Sequence, residues 1–159
     1  MIRVLFVCLG NICRSPMAEG LFIHLVEQDG LSEKIRVDSC GIGGWHSGER
    51  PDPRMRTTAA SHGVRLPSRA RQVKNSDFQD FDYILAMDRS NLQDLASLAQ
   101  RVPGKRAKIV KMRYFDPLAP DADVPDPYYG EQSDFEDVYI MLERSCRNLL
   151  DFIRKEHNL

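Results

Sequence analysis

The chain has 159 residues, a length that suits one domain able to bury a full core without disulfide bonds. Its formal net charge of −1 excludes the general basic field that attracts nucleic acid, so no nucleic-acid partner is predicted. The sequence shows no apolar run near the ~18 residues of a membrane helix, and no secretory signal pattern at its start. We therefore predict a cytoplasmic protein with no membrane partner.

Hydrophobic patterning predicts strands and helices in alternation. Residues 2–8, "IRVLFVC", are almost continuously apolar, as expected of a strand covered on both faces. Ser15 suits the start of the helix that follows. The other predicted strands are 35–39, 81–88 and 108–112, and the predicted helices are 15–29, 54–62, 90–100 and 133–156. Caps are predicted at Ser90 and at Ser133, the second in a capping box with Glu136.

This alternation indicates an α/β fold, with a four-stranded parallel sheet flanked by helices on both faces. The predicted arrangement is flavodoxin-like, with strand order 2-1-3-4, and we predict that residues 1–159 form a single domain. A long segment over 113–132, rich in proline and aspartate, precedes the last helix. Long loops in compact domains are commonly functional, so this segment is a candidate for part of a site.

The strongest chemical signal is the segment "VCLGNICRSP", in which the first strand ends at Cys8. Ligands of open parallel sheets bind at the carboxyl ends of strands. The backbone N–H groups of the loop over 9–14, together with the N-terminus of the next helix, would form an oxyanion site. The predicted phosphate-binding loop contains Leu9, Gly10, Asn11, Ile12, Cys13 and Ser15.

Several side chains of this loop suit nucleophilic attack on phosphorus. Asn11 tolerates a left-handed backbone, and the planar fork of Arg14 can bind two oxygens of a phosphate. The field of the helix N-terminus should stabilise a thiolate at Cys8, and Ser15 can donate a hydrogen bond to that sulfur. The bland alternative is a buried cysteine with an arginine near it by chance. The strand, loop and capped helix around the pair favour the catalytic interpretation.

The chain resembles the low-molecular-weight protein tyrosine phosphatases. The resemblance starts at "VCLGNICRSPMAE" and continues through "VDS", "RQVKNSDFQDFDYILAMDRSNL", "VPDPYYG" and "SDFEDVY". It implies hydrolysis of phosphotyrosine monoesters through a phosphocysteine intermediate, with Cys8 as nucleophile and Arg14 binding the phosphate. It also implies a phosphotyrosine-containing protein as substrate, affinity for phosphate or similar oxyanions, no cofactor, no metal, and a monomer or weak dimer.

The resemblance also selects the general acid. A phosphate ester needs a proton for its leaving group, and the same carboxyl can later activate water. The residues alone leave four candidates open: Asp116, Asp121, Asp123 and Asp126. By resemblance Asp126, in "PDPYYG", is the acid and then the base.

Three aromatic residues are predicted to form the substrate pocket. By resemblance, Tyr128 and Tyr129 form one wall of the cleft and Trp45 the opposite wall. The structural alternative is that the tyrosines anchor the loop and the tryptophan covers core. An aromatic slot with a nucleophile at its floor favours phosphotyrosine, because phosphoserine is too short to reach a deep thiolate.

The remaining cysteines and one aspartate have narrower predicted roles. The resemblance implies that Cys8 and Cys13 form a reversible disulfide, which protects Cys8 from overoxidation. The alternative is that Cys13 is a small apolar residue at a helix start. Cys40 and Cys146 have no partner by spacing. Asp88 is predicted to orient the loop, pair with Arg14 or start the next helix. The four histidines have no metal-binding spacing and are predicted at the surface: His24, His46, His62 and His157.

Two positions depart from the family pattern. Family members often place a serine after the second strand and a histidine in the next connection, and both bond to the asparagine of the cysteine loop. Alignment of the loop puts Gly43 at the serine position, and alignment on "RQ" puts Ser68 at the histidine position. Ser39 is then predicted to be structural. We expect the loop to be held rigid in a different way here.

The sequence leaves three alternative functions to be weighed. An arsenate reductase would need two further cysteines close together near residues 80–95, and none occur there. A protein arginine phosphatase of the same fold would carry threonine where this chain has Ile12. A non-catalytic phosphate-binding module would be expected to lack Cys8 or Asp126, and both are present.

Overall fold

The computed structural model describes residues 1–159 and confirms the predicted fold class. A single four-stranded parallel sheet has the strand order β2-β1-β3-β4. Its strands are β1 (Ile2–Cys8), β2 (Ile35–Gly41), β3 (Tyr83–Ala86) and β4 (Lys108–Lys111). The helices are α1 (Arg14–Gln28), α2 (Pro53–Ser61), α3 (Asp77–Asp80), α4 (Arg89–Ala99) and α5 (Gln132–His157), and a 3-10 turn spans Met112–Phe115.

The central strand β1 is buried on both faces, which explains its continuous apolar sequence. Successive side chains of a strand point to opposite faces. Phe6 joins the larger core beneath α1 and α5, where its ring meets Phe22 edge-on at 5.6 Å between centroids. Leu5 and Val7 join the smaller core on the other face, with Leu95 of α4. Full burial of each such side chain contributes about 1.5–3 kcal/mol, so these two cores hold the end of β1 in place.

Helices α1 and α4 begin differently from the prediction, for a reason that bears on the site. Helix α1 begins at Arg14, and Ser15 does not cap it because its hydroxyl contacts Cys8 and Asn11 instead. Helix α4 is capped by Asp88, whose Oδ1 accepts a hydrogen bond from the Asn91 backbone N–H at 2.8 Å. The predicted Ser90 cap was therefore wrong.

The last helix and the third strand also differ at their ends. Helix α5 is capped by Glu131, whose backbone N–H donates to Asp134 Oδ2 at 2.7 Å in a capping box, so the predicted pair Ser133 and Glu136 was wrong. Strand β3 is shorter than the predicted 81–88, because the unpredicted helix α3 ends just before Phe81 and Asp88 caps the next helix. None of the helices combines the length and the apolarity needed to cross a lipid bilayer.

A buried ion pair anchors the loop between β4 and α5. Asp116 is fully buried and accepts hydrogen bonds from Arg144 of α5, from Arg113 and from the Leu118 backbone N–H, all at 2.9–3.0 Å. The bonds from Arg144 are the largest cause that lowers the pKa of Asp116, to about 2. The loop that follows is therefore tied to the last helix.

We expect the charge of Asp116 to stabilise the fold in a pH-dependent way. Its pKa is lower in the folded chain than the ordinary value near 4, so its stabilisation is present above about pH 4 and is lost as the pH falls to about 2. Asp116→Asn should lower the free energy of unfolding at pH 7 by about 3 kcal/mol, because it leaves two partly buried arginines without their charged partner.

Urea denaturation at a series of pH values measures this effect. The difference between wild type and Asp116→Asn should shrink between about pH 4 and pH 2. The exposed Asp121→Asn serves as control and should stay within about 0.5 kcal/mol of wild type. A difference that is independent of pH would contradict the electrostatic explanation.

Candidate active site

Cys8 lies at the carboxyl end of β1, at the floor of a cleft of about 230 Å³. Its side chain is buried, and its neighbour across the sheet is Gly41 of β2. The cleft is lined by Cys8, Leu9, Gly10, Ile12, Cys13, Arg14, Trp45, His46, Asp126, Tyr128 and Tyr129. The structure thus brings the predicted loop, the candidate acid and all three predicted aromatic residues to one place.

The loop after Cys8 depends on two special backbone positions. Asn11 adopts a left-handed conformation, with φ of 59°, as its residue type permits. Gly41 packs against the loop backbone, so that an added Cβ would lie 2.9 Å from the Leu9 carbonyl oxygen. Any side chain at Gly41 would therefore push the loop away from β2. Gly41 was not among the predicted site residues, although it pairs with Cys8 at the end of the neighbouring strand.

Ser15 and Asn11 form a buried group of hydrogen bonds behind the Cys8 sulfur. The Ser15 Oγ lies 3.0 Å from Cys8 Sγ, and the Asn11 Nδ2 donates to Ser15 Oγ at 2.7 Å. A second bond from Asn11 Nδ2 reaches Ser39 Oγ at 3.0 Å. The Asn11 Oδ1 accepts from the Arg71 backbone N–H at 3.0 Å. The predicted contact between Ser15 and the sulfur is thus present in the structure.

The predicted placement of Gly43 at the family's serine position was wrong. The serine outside the loop that bonds to Asn11 is Ser39, which was predicted to be structural. Strand β2 extends to Gly41 and aligns with β1, so Ser39 comes to lie beside the loop, whereas Gly43 lies against the Trp45 ring. Ser68 does not reach Asn11, because its hydroxyl donates to the Glu19 carboxyl at 2.7 Å.

Arg14 is buried, and its guanidinium is held in a fixed orientation. Its Nη1 donates to Asp88 Oδ2 at 2.7 Å and to the Val124 carbonyl oxygen at 3.0 Å. Burial by itself lowers the pKa of Arg14. This effect is outweighed by the interactions with Cys8, Asp88 and Asp126, so the pKa is raised. Asp88 both pairs with Arg14 and caps α4, so two of its three predicted roles coexist.

Asp126 is the one aspartate of the long loop that lines the cleft. Its Oδ2 lies 3.6 Å from Arg14 Nη2, and its Oδ1 accepts a hydrogen bond from the Tyr128 backbone N–H at 3.1 Å. Its side chain is 45% exposed, so it can exchange protons with water at the mouth of the cleft. By contrast, Asp116 and Asp123 are bound in ion pairs away from the cysteine.

The aromatic residues stand at the open end of the cleft. Tyr129 is 97% exposed and Trp45 is 70% exposed, so neither covers core. Tyr128 meets Tyr129 edge-on at 5.0 Å, and the Arg54 guanidinium lies 5.5 Å from the Tyr128 ring centre. His46 also lines the cleft, close to Tyr128, although its residue type and spacing carried no signal for this position.

The other cysteines lie in different surroundings from Cys8. Cys13 lines the cleft, and burial, then the nearby Asp52, raises its pKa. Cys40 belongs to the core on the opposite face of the sheet, and burial raises its pKa as well. Cys146 packs on α5 within the larger core, where burial raises its pKa too. All four cysteines are free thiols in this structure.

The fold and the site together define an α/β protein with a cysteine-centred cleft at the carboxyl end of a strand. The chain belongs to the family described as low molecular weight phosphotyrosine protein phosphatase, whose model matches residues 3–159. A pig protein named for that same activity is 46% identical over 151 residues, which are 95% of each chain.

Solved structures agree with this assignment. A protein tyrosine phosphatase from Entamoeba histolytica, with Hepes in its active site, is 39% identical and has a TM-score of 0.89, covering 99% of both chains. A Drosophila arginine phosphatase is also similar, with 35% identity and a TM-score of 0.89 over 96% of this chain and 98% of its own. The fold alone therefore does not separate the two phosphatase activities.

Proposed function

We propose that this protein hydrolyses phosphotyrosine monoesters in phosphoproteins through a phosphocysteine intermediate. Membership of the family supports phosphoprotein substrates and phosphate binding. The observation that carries the proposal is the alignment of Cys8, Arg14 and Asp126 along one cleft with an aromatic mouth. A nucleophile, a phosphate ligand and an acid are then all within reach of one phosphoryl group.

In the first step, the Cys8 thiolate attacks phosphorus and the P–O bond to the tyrosine breaks. Arg14, held by Asp88 and the Val124 carbonyl, binds phosphoryl oxygens together with the backbone N–H groups of the loop. Asp126 donates its proton to the departing phenolate oxygen, so tyrosine leaves as a neutral phenol. The sulfur then carries the phosphoryl group.

In the second step, water breaks the S–P bond. Asp126, now a carboxylate, takes one proton from the attacking water, and the oxygen bonds to phosphorus. Cys8 departs as a thiolate, which the Ser15 hydroxyl at 3.0 Å stabilises. Inorganic phosphate leaves, and Asp126 is protonated again, so the enzyme returns to its starting state. The chemistry requires no cofactor or metal.

The shape and polarity of the cleft support tyrosine rather than serine or arginine as the phosphorylated residue. The cysteine is buried while Tyr129 and Trp45 stand far out in solvent, which gives depth to the slot. An aromatic ring can span that depth while it packs against Tyr128. Ile12, which lines the cleft, offers an apolar side chain to the ring and no side-chain hydrogen-bond acceptor for a guanidinium.

Phosphate release from three matched peptides tests the substrate class. The peptides share their flanking residues and carry phosphotyrosine, phosphoserine or phosphoarginine. We expect kcat/KM for phosphotyrosine to exceed the other two by at least about 100-fold, with competitive inhibition by inorganic phosphate. A preference for phosphoarginine would overturn the proposed substrate, and binding of all three without turnover would indicate a binding module.

The assembly, the cytoplasmic location and the single-domain organisation stay predictions. We propose a monomer or weak dimer that acts on phosphotyrosine-containing proteins in the cytoplasm, without nucleic-acid or membrane partners. Analytical ultracentrifugation across a concentration series measures the assembly state.

We also propose that Cys8 and Cys13 form a protective disulfide. Peroxide would oxidise the Cys8 thiolate to a sulfenic acid with release of hydroxide, and the Cys13 sulfur would then displace water to form the S–S bond. Because burial raises the pKa of Cys13, Cys8 is the sulfur that reacts first with peroxide.

The expected result is a difference in how far inactivation by peroxide is reversed. Wild type should recover most of its activity after treatment with dithiothreitol. Cys13→Ala should lose activity irreversibly as Cys8 passes to the sulfinic state. Mass spectrometry of the peptide over residues 4–14 follows both products. Full recovery of Cys13→Ala would contradict the protective role.

A further inference from the structure

A continuous chain of buried hydrogen bonds connects the Cys8 sulfur to a carboxyl group that the proposed reaction does not use. Glu19 lies on α1 and is 4% exposed. Its Oε1 accepts from Ser39 Oγ at 2.5 Å, and Ser39 Oγ accepts from Asn11 Nδ2 at 3.0 Å. The same Asn11 nitrogen donates to Ser15 Oγ at 2.7 Å, and Ser15 Oγ lies 3.0 Å from Cys8 Sγ.

The number of protons on each group determines which atom donates and which accepts in each of these hydrogen bonds. A hydroxyl has a single proton, and Ser39 uses it on Glu19. Ser39 must therefore accept from the Asn11 amide. Because the Asn11 amide also donates to Ser15, the proton of Ser15 is free to point at Cys8. The competing acceptor for that proton, the Cys40 carbonyl oxygen, is farther away at 3.4 Å.

The orientation of the Asn11 amide is determined from both ends. The Arg71 backbone N–H donates to Asn11 Oδ1 at 3.0 Å, so this atom must be the oxygen. Ser39, whose own proton is committed to Glu19, provides the acceptor for the opposite end of the amide. Removal of the Glu19 acceptor would release the Ser39 proton and allow it to oppose the Asn11 donor.

We propose that Glu19 is a positioning residue, which acts through Ser39, Asn11 and Ser15 to keep a hydrogen bond directed at the Cys8 thiolate. The proposal concerns the nucleophile of the reaction described above and rests on that function for its catalytic meaning. It assigns a role to a side chain buried behind the loop, and it explains why a charged residue type occupies the buried face of α1.

The proposed role of Glu19 requires an acceptor oxygen for the Ser39 hydroxyl and does not require a negative charge. Both of its donors, Ser39 and Ser68, are neutral hydroxyls, and both bond to the same oxygen. Burial raises the pKa of Glu19, and the nearby Asp38 raises it further. The hydrogen bonds from the two hydroxyls and the charge of Arg71 lower this pKa, but they offset the rise only in part. The Arg71 guanidinium is itself bonded to Asp38 and Asp77. A neutral carboxyl or an amide would still present the required oxygen.

The test is the rate at which iodoacetamide alkylates Cys8, at pH 6 and at pH 9. This reaction needs no turnover, so its result stands apart from that of the phosphatase assay. Fragment ions of the peptide over residues 4–14 separate Cys8 from Cys13. Ser15→Ala removes the hydroxyl that donates to Cys8. We therefore expect this variant to slow alkylation the most, by about tenfold at pH 6. Protection of the buried Cys146 shows that each variant is folded.

Five variants make the result decisive. Glu19→Leu and Ser39→Ala should slow alkylation at pH 6 by about three- to tenfold and leave the rate at pH 9 unchanged. Glu19→Gln should stay within about twofold of wild type, because it keeps an acceptor oxygen. Ser68→Ala serves as the matched control, since Ser68 bonds to Glu19 without belonging to the chain that ends at Cys8, and it should match wild type.

Each other outcome counts against the proposal. If Glu19→Leu matches wild type at pH 6, Glu19 does not act on Cys8. If Glu19→Gln loses as much as Glu19→Leu, the charge matters and the acceptor explanation fails. If Glu19→Leu and Ser39→Ala prove unfolded, Glu19→Gln and Ser68→Ala still test the proposal. Equal losses of the alkylation rate at pH 6 in these two variants would contradict the donor and acceptor roles assigned to the hydrogen bonds.

Discussion

Replacement of Cys8 by serine is expected to lower kcat for phosphotyrosine hydrolysis by more than about 10⁴-fold. A serine hydroxyl has nearly the same size as the thiol, but it is not ionised at neutral pH and is a poor nucleophile towards phosphorus. The loop, Arg14 and the aromatic mouth stay in place, so the variant should still bind the substrate. Initial rates with the phosphotyrosine peptide measure the loss, and calorimetric titration of the same peptide measures the binding that remains.

The matched control is Cys146→Ala. Cys146 is buried on α5 in the larger core and takes no part in the cleft, so its loss should cost some stability and leave kcat within about twofold of wild type. If Cys8→Ser kept more than about a tenth of the activity, the phosphocysteine mechanism would be wrong. Loss of binding together with activity would instead point to a disturbed loop.

Replacement of Asp126 by asparagine is expected to slow turnover by about 10²–10⁴-fold, the range associated with general acid–base catalysis. The loss should depend on the leaving group, because an acid helps most when the departing oxygen is basic. Phenyl phosphate and the phosphotyrosine peptide should therefore lose much more than p-nitrophenyl phosphate, whose leaving group is stable without a proton. Steady-state rates for the series of esters give this dependence directly.

Asp121→Asn provides the control for this substitution within the same loop. Asp121 is exposed and is not part of the cleft, so its variant should show wild-type rates with all three esters. A uniform loss across the esters in Asp126→Asn would show that Asp126 only positions Arg14, from which it is separated by 3.6 Å, and would remove it as the acid.

The parts of the site that follow from local sequence were predicted well. The loop from Cys8 to Ser15 is continuous in the chain, so strand end, special backbone at Asn11 and arginine all follow from neighbouring residues. The contact of Ser15 with the sulfur follows in the same way, although its role as a helix cap did not hold. Asp126 needed the family resemblance, because four aspartates of one loop look alike without the fold.

The parts that were wrong or missed depend on contacts between distant segments. Ser39 lies 28 positions from Asn11 and reaches it only because β2 pairs with β1 in one register. Ser68 lies 49 positions from Glu19 and meets it through the packing of a loop on α1. Hydrophobic periodicity cannot indicate such pairs, since it reports which face is buried and not which partner covers it.

The sequence by itself determined the parallel α/β fold, the cysteine loop and the residues that we propose attack and bind a phosphoryl group, because these depend on periodicity and on neighbours along the chain. The tertiary structure decided that Asp126 lines the same cleft as Cys8, that Ser39 of β2 binds Asn11, and that a buried Glu19 ends the series of hydrogen bonds behind Cys8. The physical reason is that a hydrogen bond acts over about 3 Å, and only the packing of sheet and helices brings distant residues to that distance.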